Sequence, residues 1–166
     1  MKTLSKKLSI AQILLQVIAI IIAASKGLFG WNIHNSGDIV HSNFTLLGIA
    51  PAFFYVMVVC AIVTVITCIL YLKNSVTAKW HIIAPCVSVI TLVVVAILHL
   101  QTILVSEDMD AMVQLAIKLG VLDTLLVPMF YVELSILLAS AIISFYTSFR
   151  KADTDGELEA DATSVQ

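Results

Sequence analysis

Apolar positions in this chain are gathered into four long blocks, Leu8–Ala24, Phe44–Leu72, Trp80–Leu104 and Val121–Phe149, with polar residues, glycine and charge returning between them. About 20 consecutive apolar residues form a helix as long as the ~30 Å hydrocarbon layer of a bilayer. The pattern therefore predicts an all-α membrane protein, a four-transmembrane-helix bundle with spans at about 8–29, 48–72, 80–103 and 122–149.

Inside the blocks the polar side chains recur at spacings of three and four, which places them on one face of each helix. The first block carries Ser9, Gln12, Gln16, Ala19 and Ala23 on that face, and the second Cys60, Thr64, Thr67, Cys68 and Tyr71. The third carries Ser88, Thr91 and His99, with Val95 between them, and the fourth Glu133, Ser140, Ser144 and Thr147. Small and weakly polar residues mark the faces along which helices pack in lipid. The same faces would also line a narrow polar path, if one exists.

Punctuation between the blocks sets their limits. Pro51, Pro85 and Pro128 each stand near the start of a block, where a missing N–H costs least, so they mark helix starts or kinks. About seven residues around Lys73–Lys79 join the second and third spans in a tight antiparallel turn. The segment 27–48 holds Gly27, Gly30, Gly37 and Gly48 and the turn-prone string Asn35-Ser36-Gly37-Asp38, which suits a short hairpin or an irregular loop. In the segment from Ser106, a hydroxyl cap and two acids precede Met109, Met112, Val113, Ala116 and Leu119 on one face and Asp110, Gln114 and Lys118 on the other. This predicts a short amphipathic outer helix ending near Gly120, either capping the bundle or extending the last span.

Charge supplies the orientation. With the N-terminus inside, the inner segments hold Lys2, Lys6, Lys7, Lys73, Lys79, Arg150 and Lys151, against Lys26 and Lys118 outside. Basic loops stay on the cytoplasmic face, so both termini are expected there, in a multi-pass protein of the plasma or cell membrane. Trp31, Tyr71, Trp80 and Tyr146 fall near the block ends, where aromatic rings anchor helices. The first block also has signal-peptide features, basic residues before it and Ala23-Ala24-Ser25 after it; cleavage would leave three spans. Residues 152–166, acidic and nearly without large apolar side chains, are expected to form a disordered cytoplasmic tail.

Composition narrows the function classes. The chain is 60% hydrophobic and 12% charged with a mean hydropathy of +1.05, about half the charge of a soluble domain. Its net charge of −2 and lack of a basic cluster argue against nucleic acid. The three cysteines, Cys60, Cys68 and Cys86, lie within spans as packing residues, so the outer-loop pairs of a four-helix thiol oxidase are missing. No phosphate loop, nucleophile elbow or zinc-protease motif occurs, and nothing calls for a cofactor.

The residues with chemical interest are few. Glu133 is an acid inside a span, which costs roughly 2.5–3.5 kcal/mol on insertion scales and persists when paired, protonated or hydrated. With His99 and Gln16 it forms the candidate ion or proton site, and a Glu133–His99 contact is expected from their similar depth. In the first outer segment His34, Asp38 and His41 carry donors suited to a borderline metal such as zinc. Asn43-Phe44-Thr45 matches the acceptor pattern for an N-linked sugar, close to the membrane.

With four spans and inner termini, the plan resembles claudin-like tetraspan junction proteins, as does Gly27-Leu28-Phe29-Gly30-Trp31 at the start of the first outer loop. The paired loop cysteines of that family are missing and the loop is much shorter. Small multidrug exporters also have four short spans and a membrane glutamate, but theirs is in the first helix and this one in the fourth. No family is assigned. The expected role is a non-enzymatic scaffold or accessory subunit in the lipid bilayer, partnered by itself or by a larger membrane protein. The alternative is a small oligomeric transporter or channel, coupled to protons or cations through Glu133.

Overall fold

The computed structural model describes residues 2–35, 38–72, 78–101, 115 and 118–163. In chain order these form α1 (Lys2–Ser25), β1 (Phe29–Asn35), β2 (Asp38–Phe44), the one-turn α2 (Leu46–Ile49), α3 (Pro51–Leu72), α4 (Ala78–Leu100), β3 (Leu122–Leu126) and α5 (Pro128–Thr163). Within them, Lys6–Ser25, Pro51–Leu72, His81–Leu100 and Pro128–Phe149 are four helices long and apolar enough to cross a membrane.

Each start and stop has a local cause. Pro51 and Pro128 are the first residues of α3 and α5, where their fixed φ suits the first turn and no N–H is missed. Pro85 instead lies inside α4, so the His81 carbonyl has no N–H partner one turn on. Thr45 caps α2, its hydroxyl accepting from Gly48 N at 3.0 Å. Gly120, at φ +66°, adopts the left-handed turn that ends the helical residues before β3. The amphipathic helix expected over 106–120 otherwise lies outside the described residues.

Three boundaries differ from those the apolar pattern predicts. The first span stops at Ser25, because Phe29–Asn35 is a strand. The second begins at Pro51 and not at residue 48, since α2 is a separate turn. The fourth begins at Pro128, because Leu122–Leu126 pairs as a strand. The architecture is therefore mostly helical with a small sheet, and not all-α. At the other end α5 continues as backbone to Thr163, departing from the disordered tail expected there. A helix already nucleated propagates at low cost through Ala-, Glu- and Leu-containing sequence.

The strands form an antiparallel sheet in the order β2-β1-β3. Phe29 is opposite Phe44 and Leu126, Trp31 opposite Ser42 and Thr124, and Asn32 opposite His41 and Asp123. Since side chains alternate between faces, Phe29, Trp31, Phe44 and Leu126 share one face, and Asn32, His34, His41 and Asp123 the other. Phe29 and Trp31 are buried in the same core as Leu46, Phe54, Val95 and Phe130. The sheet thus lays its apolar face over one end of the helices and turns its polar face away.

The four long helices close a ring of contacts in the order α1, α3, α4, α5 and back to α1. Bulky apolar residues cover the outside of the ring, among them Ile10, Leu14 and Ile21 on α1, Val59 and Ile62 on α3, and Leu138, Ile142 and Phe145 on α5. Polar side chains are inside: Ser9, Gln12, Gln16, Thr64, Thr67, His81, Ser88, His99, Glu133, Ser140, Ser144 and Thr147 are all buried. Soluble proteins have the reverse distribution.

Candidate functional site

The interior is layered along its axis. At the end away from the sheet, here the far end, α1 and α5 are stitched by two glutamines: Gln12 Nε2 donates to Ser144 Oγ, and Gln16 Nε2 donates to Ser140 Oγ at 2.8 Å. His81 Nε2 lies 3.0 Å from Thr147 Oγ1, which itself donates to the Ile143 carbonyl, so the imidazole is the donor there. Its ring stacks on Tyr71 with centroids 5.6 Å apart, and the Tyr71 hydroxyl reaches the Thr147 carbonyl at 3.3 Å. Thr64, Thr67 and Ser88 donate to carbonyls of their own helices.

The antiparallel register then places Glu133. Seven residues, about two turns, separate Gln16 from Ala23 along α1 and Ser140 from Glu133 along α5, so Ala23 lies opposite Glu133. Starting from the His81–Thr147 pair, fourteen residues along α4 and α5 bring Val95 opposite the same acid. Ala23 and Val95 are fully buried, and Phe130 and Leu137 flank Glu133 one turn away on α5. Both carboxyl oxygens of Glu133 are buried with no hydrogen-bond partner among the described residues.

One layer further toward the sheet is His99. Its Nε2 donates to the Gly30 carbonyl at 3.1 Å, and the ring also reaches the backbone of Leu125, the β3 residue opposite Gly30. Phe29 meets this ring edge-on with centroids at 5.2 Å, and Trp31 stacks on it at 6.3 Å. The expected Glu133–His99 contact is therefore replaced. The sheet brings a carbonyl to the imidazole, a partner invisible while 122–126 is read as helix. Gln16 does not join Glu133 either, since Ser140 holds it. The three residues expected to form one site occupy three separate layers.

The loop histidines separate as well. Asp38 pairs opposite Asn35, whereas His41 pairs opposite Asn32, so alternation places Asp38 on the face that carries Trp31 and His34 and His41 on the opposite face. The expected His34, Asp38 and His41 set cannot converge on one ion in this register. His34 Nε2 is instead 2.9 Å from Asp123 Oδ2 on β3, in an exposed pair, and His41 Nδ1 is 2.6 Å from Asn32 Oδ1. No three His, Cys, Asp or Glu side chains come together as a metal-binding group among the described residues.

Sequence reasoning passed over His81, the donor that ties α4 to α5. Its signal was available: 81, 88, 95 and 99 share the spacing that marks the buried face of α4. A groove of about 330 Å³ lies between α1 and α3, lined by Val17, Ile20, Ile21, Val58, Ala61 and Ile62 among others. It touches the seam only at Gln16 and is not a polar route to Glu133. Compared with protein-family models, with curated proteins and with solved structures, the chain matches none.

Proposed function

We propose that this chain is a small polytopic integral membrane protein acting as a non-enzymatic scaffold or accessory subunit of a membrane assembly. The observation that carries the proposal is the inversion of polarity across the helix ring: large apolar side chains outside, hydrogen-bonded polar pairs inside. Predominantly apolar helices of 20 to 22 residues suit a hydrocarbon layer of ~30 Å. Most of the polar seam is engaged by contacts within the chain, which leaves the apolar flanks and the outward polar face of the sheet as surfaces for a partner. A second copy or a larger membrane protein is the partner class. The seven-to-two excess of Lys and Arg at the far end supports cytoplasmic termini in a cell membrane, with the sheet outside.

Extraction of the tagged protein in mild detergent, followed by mass spectrometry of co-purifying chains and of the intact complex, tests this. A stoichiometric larger partner or a stable homo-oligomer is expected; a monomer with no companion contradicts the proposal. Topology is checked with single cysteines at His34 and Lys151, which a membrane-impermeant thiol reagent should label from opposite sides.

The unpartnered carboxyl of Glu133 favours one second reading, a small oligomeric transporter or channel coupled to protons or cations. Liposome flux measured with wild type and Glu133→Gln separates the two: ion-dependent flux lost in the variant favours transport, and absence of flux in both favours the scaffold.

A further inference from the structure

We propose that Glu133 is a proton-binding site: a lone carboxyl sealed within the helix ring, whose ligand is a proton and not a metal cation or a partner's basic side chain. The inference rests on the membrane-spanning reading above and is independent of the choice between scaffold and transporter.

Both Glu133 oxygens are buried and unpartnered among the described residues, and a buried acceptor without a donor is strongly disfavoured. Hard metal cations need six or more oxygens, and among the described residues the side chains buried around Glu133 in this layer are apolar. α1 presents Ala19 and Ala23 here, α4 presents Leu92 and Val95, and α5 adds Phe130 and Leu137. In the nearest polar layers Gln16 is bonded to Ser140, His99 to the Gly30 carbonyl, and Thr91 to the Val87 carbonyl of its own helix; Trp31 Nε1, beside His99, is buried without a partner among the described residues but makes no hydrogen bond to Glu133. Zinc would require additional His, Cys or carboxylate ligands, and no such group forms among the described residues.

A cationic side chain from another protein is excluded by access, since Glu133 is 0% exposed and lies inside the ring. The charged and titratable groups on the surrounding elements do not face it. Lys26 is exposed beyond the end of α1, Asp123 is exposed on the outward face of β3, and His99 is turned to the sheet backbone. From α3, Tyr55 points outward and is exposed. A proton needs only the one carboxyl and turns it into a neutral group compatible with apolar neighbours.

The carboxyl C=O stretch tests the site without needing access to it. Infrared spectra of the full-length protein in washed membranes or lipid vesicles are compared for wild type and Glu133→Gln, with and without added NaCl or KCl. The expected result is a C=O band of a protonated carboxyl that is missing from Glu133→Gln, kept in Glu133→Asp and unchanged by either salt. Absence of the band from folded wild type overturns the proposal, and so does its loss on adding Na⁺ or K⁺, which would reveal a metal cation site. Loss of the protein from washed membranes would instead defeat the membrane-spanning reading.

Discussion

The two ends of the helix ring bury polar groups in opposite ways. At the far end, glutamine meets serine and histidine meets threonine across helices, so each side chain fixes its neighbour. Gln12 leaves its Oε1 unpaired although its amide nitrogen is bonded to Ser144, and the buried Ser148 hydroxyl also lacks a partner among the described residues, so the pairing at this end is not complete. Toward the sheet, His99 is tied to the strand backbone while Glu133 has neither oxygen paired among the described residues. The comparison teaches that burial and location inside a span do not by themselves distinguish a structural polar residue from a functional one. The partner does. A paired group explains its own presence through packing; an unpaired acid is unexplained until a ligand is named.

The comparison can be broken most severely at the sheet. Trp31 packs between Phe44 and His99 and fills the junction of sheet and helices. Trp31→Ala should cost about 3–5 kcal/mol, seen as a large fall in detergent Tm and in abundance. A change below about 1 kcal/mol would mean that the sheet is not packed on the helices.

At the far end the expected effects are smaller. His81→Leu removes the donor to Thr147 and the stack on Tyr71, for a loss of about 1–3 kcal/mol in the same assay. A double-mutant cycle with Gln16→Leu and Ser140→Ala should return a coupling of about 0.6–1.7 kcal/mol, and zero coupling would dissolve the seam as an explanation. The least effect belongs to the outward face. His34→Ala breaks an exposed pair with Asp123 and should change stability by no more than about 1 kcal/mol, diminishing further at high salt.

Most of the helices were legible because four blocks of spanning length leave few alternatives; Pro51 and Pro128, read as helix starts or kinks, are the first residues of α3 and α5, although the apolar blocks put those starts at about 48 and 122. The hairpin was legible as one of two options, from Asn35-Ser36-Gly37-Asp38. The third strand was not, because Val121–Leu126, apolar except for Asp123 and Thr124, joins without a gap the block beyond it, and so short a segment carries no clear period of its own. That omission had consequences for the site. Without β3 there is no sheet layer over the helix ends, so His99 reads as free for Glu133. Register explains the metal set: His34, Asp38 and His41 are close in sequence, yet strand alternation separates Asp38 from the two histidines. Glu133 itself was legible from its position alone, but its lack of a partner became visible only once the neighbouring layers were in place.

The contrast between the ends is tested most directly by thermal unfolding of Glu133→Leu beside Gln16→Leu in the same detergent. Gln16→Leu removes one member of a buried pair and should lower stability; Glu133→Leu replaces an unpaired polar group with an apolar one and should raise it, by about 1–3 kcal/mol. Opposite signs are the predicted result. A Glu133→Leu protein destabilised as much as Gln16→Leu would show that the acid has a structural partner, and would contradict the division of the interior into a paired end and an unpaired one.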